Sequence, residues 1–196
     1  MRYYREIFSQ AEISKIDVVV LGNGDLGGAY NRGHLIVLGE PPASMPTEDL
    51  ARMLMYQMFA HELGHIWFGR AEVSGFEDWL NETGAEWSAL LFLLHIGKTD
   101  IFDKWIEMHY DNHKRFGEAI RPNDFHHPDA IHDSGVVLFH MLYEKYGKNA
   151  VLSILRILSK MEKQNTDDFL AQLEGSYRKE IADFIRAQLD EKIEVY

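Results

Sequence analysis

The chain has 196 residues, 46% hydrophobic and 26% charged, enough for one substantial core and short for two independent ones. Its formal net charge of −11, with no Lys/Arg block, argues against nucleic acid or an anionic membrane surface as the main partner. Cysteine is absent, which excludes disulfides and thiolate metal sites and fits a reducing cytoplasm.

Residues 2–9 read as a short helix, without the apolar run or small-residue cleavage site of a signal peptide. The β-branched run Lys15-Ile16-Asp17-Val18-Val19-Val20-Leu21 predicts a strand, and the glycines between Gly22 and Gly28 a turn-rich connection. A second strand is expected over His34–Leu38, closed by Pro41-Pro42. Thr47, followed by Glu48 and Asp49, has the character of an N-cap and acidic first turn for a helix running to about Phe68. Further helices are expected over about 77–95 and 100–116. After a Pro/His/Asp-rich loop, others follow at about 132–146, 149–162, 167–174 and 176–192, one of them capped through Thr166-Asp167-Asp168. The longest apolar stretch, from Ala89 to His95, is far too short to span a bilayer. The expectation is one α+β domain over residues 1–196, a small N-terminal sheet followed by a mostly helical remainder, in the cytoplasm.

The segment His61-Glu62-Leu63-Gly64-His65 carries H-E-x-x-H inside a predicted helix. Residues four apart share a helical face, so both imidazoles can reach one ion. Neutral imidazole suits zinc, whose catalytic sites have three protein ligands and a fourth position for water. Glu62 lies about 100° round the helix from His61, beside the metal but not on it, where a general base belongs. Sixteen residues separate His65 from Glu82, in Trp79-Leu80-Asn81-Glu82-Thr83-Gly84-Ala85-Glu86 on the next predicted helix. Two antiparallel helices can bring Glu82 to the His pair as third ligand. Glu86, one turn on, is placed to accept the free N–H of a ligating histidine.

These residues resemble the gluzincin metallopeptidases, and within them the thermolysin-like zincin domain of the aminopeptidase-N-like family. That family reads W-L-N-E-G-F-A where this chain has Trp79–Ala85, with a gap from the second histidine about two residues longer. Gly28-Ala29-Tyr30-Asn31-Arg32 sits where G-A-M-E-N is expected, and Ile131-His132-Asp133-Ser134-Gly135 where Y-x-K-G-A is expected. The resemblance implies one zinc ion on His61, His65 and Glu82, Glu62 as base, and a peptide or small amide as substrate. It also implies substrate binding by Gly28, Ala29 and Asn31. The family's amine-binding glutamate is matched by the neutral Asn31, and its catalytic tyrosine by His132, a residue type that thermolysin-like endopeptidases use there. The neighbouring Asp133 would orient that ring.

Substrate backbone is expected to add as a strand along His34–Leu38 or the Gly28–Asn31 approach to it. His126 and His127 are the fallback for His132. His109 and His113, four apart, read as surface histidines more than as a second metal site; His95 ends a helix; His34 and His140 are given no role. Two other readings stay open: a zinc-binding module that holds a partner without turnover, and hydrolysis of a non-peptide amide.

Overall fold

Helix α3 (Asp78–His95) is buried along almost its whole length, and the other helices are arranged around it. Its sequence explains why: Trp79, Leu80, Ala85, Trp87, Ala89, Leu90, Leu91 and Leu93 make it apolar on every face but the line of Asp78, Glu82 and Glu86, so those faces have to be covered. A computed structural model describes residues 1–8, 15–22, 28–41, 47–122 and 126–195. Around α3 stand α1 (Arg2–Ile7), α2 (Glu48–Gly64), α4 (Thr99–Phe116), α5 (Ile131–Tyr146), α6 (Lys148–Leu158), α7 (Thr166–Ser176) and α8 (Lys179–Leu189). The α3 indoles have partners for their N–H groups: Trp79 Nε1 donates to Thr166 Oγ1 at 2.8 Å and Trp87 Nε1 to the Val136 carbonyl at 3.2 Å. Those bonds fasten α7 and α5 to α3. Among the described residues no helix is long and apolar enough to cross a membrane.

The sheet has three strands in the order β1-β3-β2: β1 (Asp17–Leu21), β2 (Ala29–Arg32) and β3 (Leu35–Gly39). β3 is central, parallel to β1 and antiparallel to β2, with Asn31 opposite Ile36 and Val19 opposite Val37. Ile36, Val37 and Leu38 are buried, whereas Val18, Val19 and Val20 of β1 are exposed. β2 was not anticipated as a strand. It forms because Gly33 takes φ 71 and allows the tight turn at Gly33-His34, so His34 lies in the turn and not in the strand. With both edges of β3 occupied, an added substrate strand cannot pair there; the outer edge of β2 is the alternative.

Helix boundaries differ from the expected ones where tighter backbone turns or side chains take over the terminal hydrogen bonds. α2 ends at Gly64, and the turn beyond it tightens, Ile66 N donating to the Leu63 carbonyl. α6 stops at Leu158, whose carbonyl accepts from Gln164 Nε2, while Arg70 Nη1 donates to the carbonyls of Ser159 and Met161. The cap of α7 is Asn165, its side chain accepting from Asp168 N at 2.9 Å; Thr166 instead donates its hydroxyl to Glu77. Parts of the expected turn over Gly22–Gly28, of the Pro41-Pro42 stop and of the loop before α5 (residues 23–27, 42 and 123–125) lie outside the described residues.

The crossing of α2 and α3 governs the site. A Cβ on Gly64 would stand 2.8 Å from Ala85 Cα and 3.0 Å from Ala85 O, so the two backbones touch with nothing between them. Gly64→Ala should gain up to about 1 kcal/mol of helix propensity but lose about 1–3 kcal/mol to overpacking against rigid backbone. The expected result in urea unfolding is a net loss of stability. Gly175→Ala in α7, where nothing lies within 4 Å of the new methyl, should instead be stabilising. Equal midpoints for Gly64→Ala and the parent would mean that the two helices have slack.

Candidate metal centre

His61 sits in the last turn of α2 and His65 in the tightened turn just past it, so the two rings remain one turn apart on the same side. Their Nε2 atoms approach to 3.2 Å. Each Nδ1 faces an acceptor: Glu86 Oε2 at 2.7 Å for His61 and the Phe68 carbonyl at 2.9 Å for His65. A ring that donates through Nδ1 presents a lone pair at Nε2, so two lone pairs converge on one point. Glu82, reaching across from α3, adds Oε2 at 3.4 Å from His61 Nε2 and Oε1 at 3.7 Å from His65 Nε2. His61, His65 and Glu82 form the one cluster among the described residues with metal-ligand geometry.

The separations fit a small tetrahedral cation, because ligands about 2.0–2.1 Å from such an ion stand about 3.3–3.4 Å apart. The donor set, two imidazoles and a carboxylate, suits zinc. Glu82 Oε2 is buried and receives no well-aligned hydrogen bond, although His132 Nδ1 lies 2.9 Å away. Burial opposes the negative charge on Glu82, but His132 and His61 outweigh it and hold the carboxyl well below the usual range. Burial likewise opposes a proton on His61, yet Glu82 and Glu86 push its pKa up to about 10. A proton and a metal ion compete there for the same lone pair.

Glu62 points into the same cleft, an open cavity of about 600 Å³ lined also by Ala29, Asn31, Arg32 and His132. It is 5% exposed. Burial pushes its carboxyl up to about 7, Glu82 adding to the effect and His61, His132 and Arg32 opposing it. Asn31 is committed on both sides: Nδ2 donates to the Glu62 carbonyl at 2.6 Å, and Oδ1 accepts from Gly33 N at 2.6 Å. It therefore moors β2 to the turn of α2 that carries His61. Gly28 does not line the cleft; its carbonyl accepts from Gly39 N inside the sheet. The His132 ring is at the cleft rim, half-exposed, and Asp133 does not orient it. Of the fallback pair, His127 Nε2 lies 3.2 Å from Asp78 at the edge of the cleft and His126 faces Glu118.

His109 and His113 are not surface residues. Both are buried on α4, His109 between Asp133 and Glu86, His113 between Ser134 and the Ile193 carbonyl. The signal was present in the spacing of Phe102, Ile106, His109 and His113, which extends the apolar stripe of α4 through both histidines. Gln57, donating Nε2 to Glu86 Oε1 at 2.6 Å, had no such signal.

No protein-family model matches the chain. Over 106 residues, 51% of its length, it is 33% identical to the probable M1 family aminopeptidase 2 of Encephalitozoon cuniculi, covering 12% of that protein. Over 94 residues it is 35% identical to the aminopeptidase N of Acetobacter pasteurianus, covering 26% of it. The chain resembles the aminopeptidase-N-like gluzincins. Its fold is that of M1 metallopeptidase structures: the Deinococcus radiodurans M1 zinc metallopeptidase superposes on all of it with a TM-score of 0.70 and 20% identity. The gluzincin-like chain spans only 44% of that structure, and far less of the two curated relatives.

Metal analysis of protein purified without chelator should give about one zinc per chain. Glu82→Ala should remove it, and Glu86→Gln should retain it with affinity about 10–100-fold weaker. Protein with no measurable zinc affinity would sink the assignment of the centre.

Proposed function

We propose that this chain is a single zinc-dependent peptidase domain of thermolysin-like type, holding zinc through His61, His65 and Glu82. The observation that carries the reading is one juxtaposition. A buried, ionisable carboxyl, Glu62, adjoins the point on which two imidazole lone pairs and a carboxylate converge. A purely structural site has no use for such a group. The curated relatives are named as M1 family aminopeptidases. A mutant of the Deinococcus enzyme is known bound to a Tyr-Ser-Ala substrate.

Zinc held there would polarise a scissile carbonyl and acidify a water. Glu62 takes the proton of the attacking water on its carboxylate and delivers it to the leaving nitrogen, so its charge is restored at the end of the cycle. Its raised pKa makes it a stronger base than an ordinary carboxylate. His132, at the rim beside Glu82, donates to the carbonyl oxygen as negative charge develops. The outer edge of β2 pairs with substrate backbone, with Ala29 and Asn31 at the cleft floor.

Glu62→Gln should keep zinc and lose turnover, because an amide cannot accept the proton. In the parent protein kcat/KM should fall as pH drops and Glu62 protonates. A bound dication stabilises the carboxylate, so that limb should lie at or below about pH 7. Cleavage by Glu62→Gln at the parental rate would remove Glu62 from the mechanism.

Asn31 is neutral and committed to backbone partners, so it offers no counter-charge to an α-ammonium. N-acetylating a good peptide substrate should change kcat/KM by less than about tenfold, about 1.4 kcal/mol. A much larger loss on acetylation would show that another carboxylate of the cleft reads the free amine.

A further inference from the structure

Behind the ligands lies a second layer of charge. His109 on α4 is 6% exposed and has a carboxylate at each ring nitrogen. Nδ1 is 2.7 Å from Asp133 Oδ1 on α5, and Nε2 is 3.3 Å from Glu86 Oε1 on α3. Carboxylate oxygens only accept hydrogen bonds, whereas a neutral imidazole has one N–H and one lone pair. Either neutral tautomer would turn a lone pair toward an anion at a largely buried site. Only the doubly protonated ring satisfies both contacts.

We infer that His109 is an imidazolium at neutral pH that acts as a positioning residue for the metal centre, holding Glu86 on His61 and tying it through Asp133 to the helix turn that bears His132. The positioning role rests on the reading of His61, His65 and Glu82 as a zinc site. The groups around the ring account for its charge. Glu86 from α3 and Asp133 from α5 are the carboxylates facing it; Gln57 from α2 and Asn112 on its own helix are neutral donors to those same carboxylates. Burial works against a proton on His109, but the bonds to Asp133 and Glu86 outweigh it and push its pKa up to about 9. Once His61 gives its Nε2 lone pair to a metal it is neutral, and His109 is then the only cationic side chain in hydrogen-bonding contact with Glu86 among the described residues. A buried carboxylate deprived of its cation is strongly disfavoured. The charge of His109 therefore keeps Glu86 ionised and seated against His61 Nδ1, the contact that orients the ligand and raises its basicity.

The chain of contacts runs further than a single pair. Asp133 is the neighbour of His132, and Ala130 O anchors the same turn by accepting from Asp133 N and Ser134 N. One buried cation thus links Glu86, the partner of His61, with Asp133 on α5, behind the direct bridge that Glu82 makes between His61 and His132.

Two measurements test this, and the first needs no variant. Ring ¹⁵N shifts of His109 in wild-type protein, zinc-free and zinc-loaded, should show both nitrogens protonated throughout pH 6–8. One unprotonated nitrogen anywhere in that range overturns the inference. Second, zinc affinity by chelator competition should be about tenfold weaker or more in His109→Leu and His109→Gln, at the level found for residues that support a metal ligand. Either folded variant suffices should the other fail to fold. Unchanged affinity in a folded variant overturns the positioning role while leaving the zinc site standing. Wild-type protein without zinc affinity overturns the metal reading and the positioning role together, and the ring shifts then still decide whether His109 is the fixed cation.

Discussion

Two helices can place three ligating side chains around one point only if their axes come close, and here the contact of Gly64 with Ala85 sets that distance. The backbone of α2 rests on the backbone of α3. His61 in α2 and His65 in the turn just past it flank that contact, and Glu82 lies one turn before Ala85 on α3. Bulk at Gly64 would push the helices apart and lengthen the 3.4 and 3.7 Å edges from Glu82 to the two imidazoles. Gly84 helps in the same way, because a Cβ there would strike the Phe68 ring and disturb the turn that follows His65. The close approach also explains why α3 must be apolar on its remaining faces. A helix wedged between α2, α5 and α4 meets water along almost none of its surface.

Charge in the site alternates. From the rim inward, His132 meets Glu82, Glu82 meets His61, His61 meets Glu86, Glu86 meets His109 and His109 meets Asp133. Each buried carboxylate has an imidazole on both sides or a donor amide in place of one, as the low-dielectric interior requires. Glu62 is outside this sequence: among the described residues no hydrogen bond to its carboxyl replaces the water it has lost, and its pKa rises instead of falling. That contrast, Glu82 and Glu86 held ionised and the Glu62 carboxyl pushed up, is set by environment and not by residue type.

The cleft owes its other wall to β2. Asn31 bonds the Glu62 carbonyl and simultaneously receives Gly33 N, so the hairpin turn, the strand and the His61–His65 segment are fastened by one side chain. Asn31 is thus a structural strut of the cleft. The chain spans only part of the length of the larger M1 proteins it resembles.

The centre was legible from local spacing. H-E-x-x-H fixes two imidazoles on one helix face, and Glu82 with Glu86 repeats the same one-turn logic on the next helix, so helical geometry alone relates the members of each pair. The helical remainder was legible for the same reason, since the periodicity of α3 through α8 is a property of consecutive residues. What local spacing cannot express is which faces meet. His109 and His113 are four apart like any exposed pair, and only the packing of α4 on α5 brings Asp133 and Ser134 to their nitrogens. Strand β2 exists because Gly33 permits a turn and β3 offers an edge, and Asn31 became a strut because that hairpin folds onto α2. Contacts between residues 20 to 50 positions apart depend on the tertiary arrangement of whole elements. The one-turn spacing of two ligands depends only on the rise of a helix.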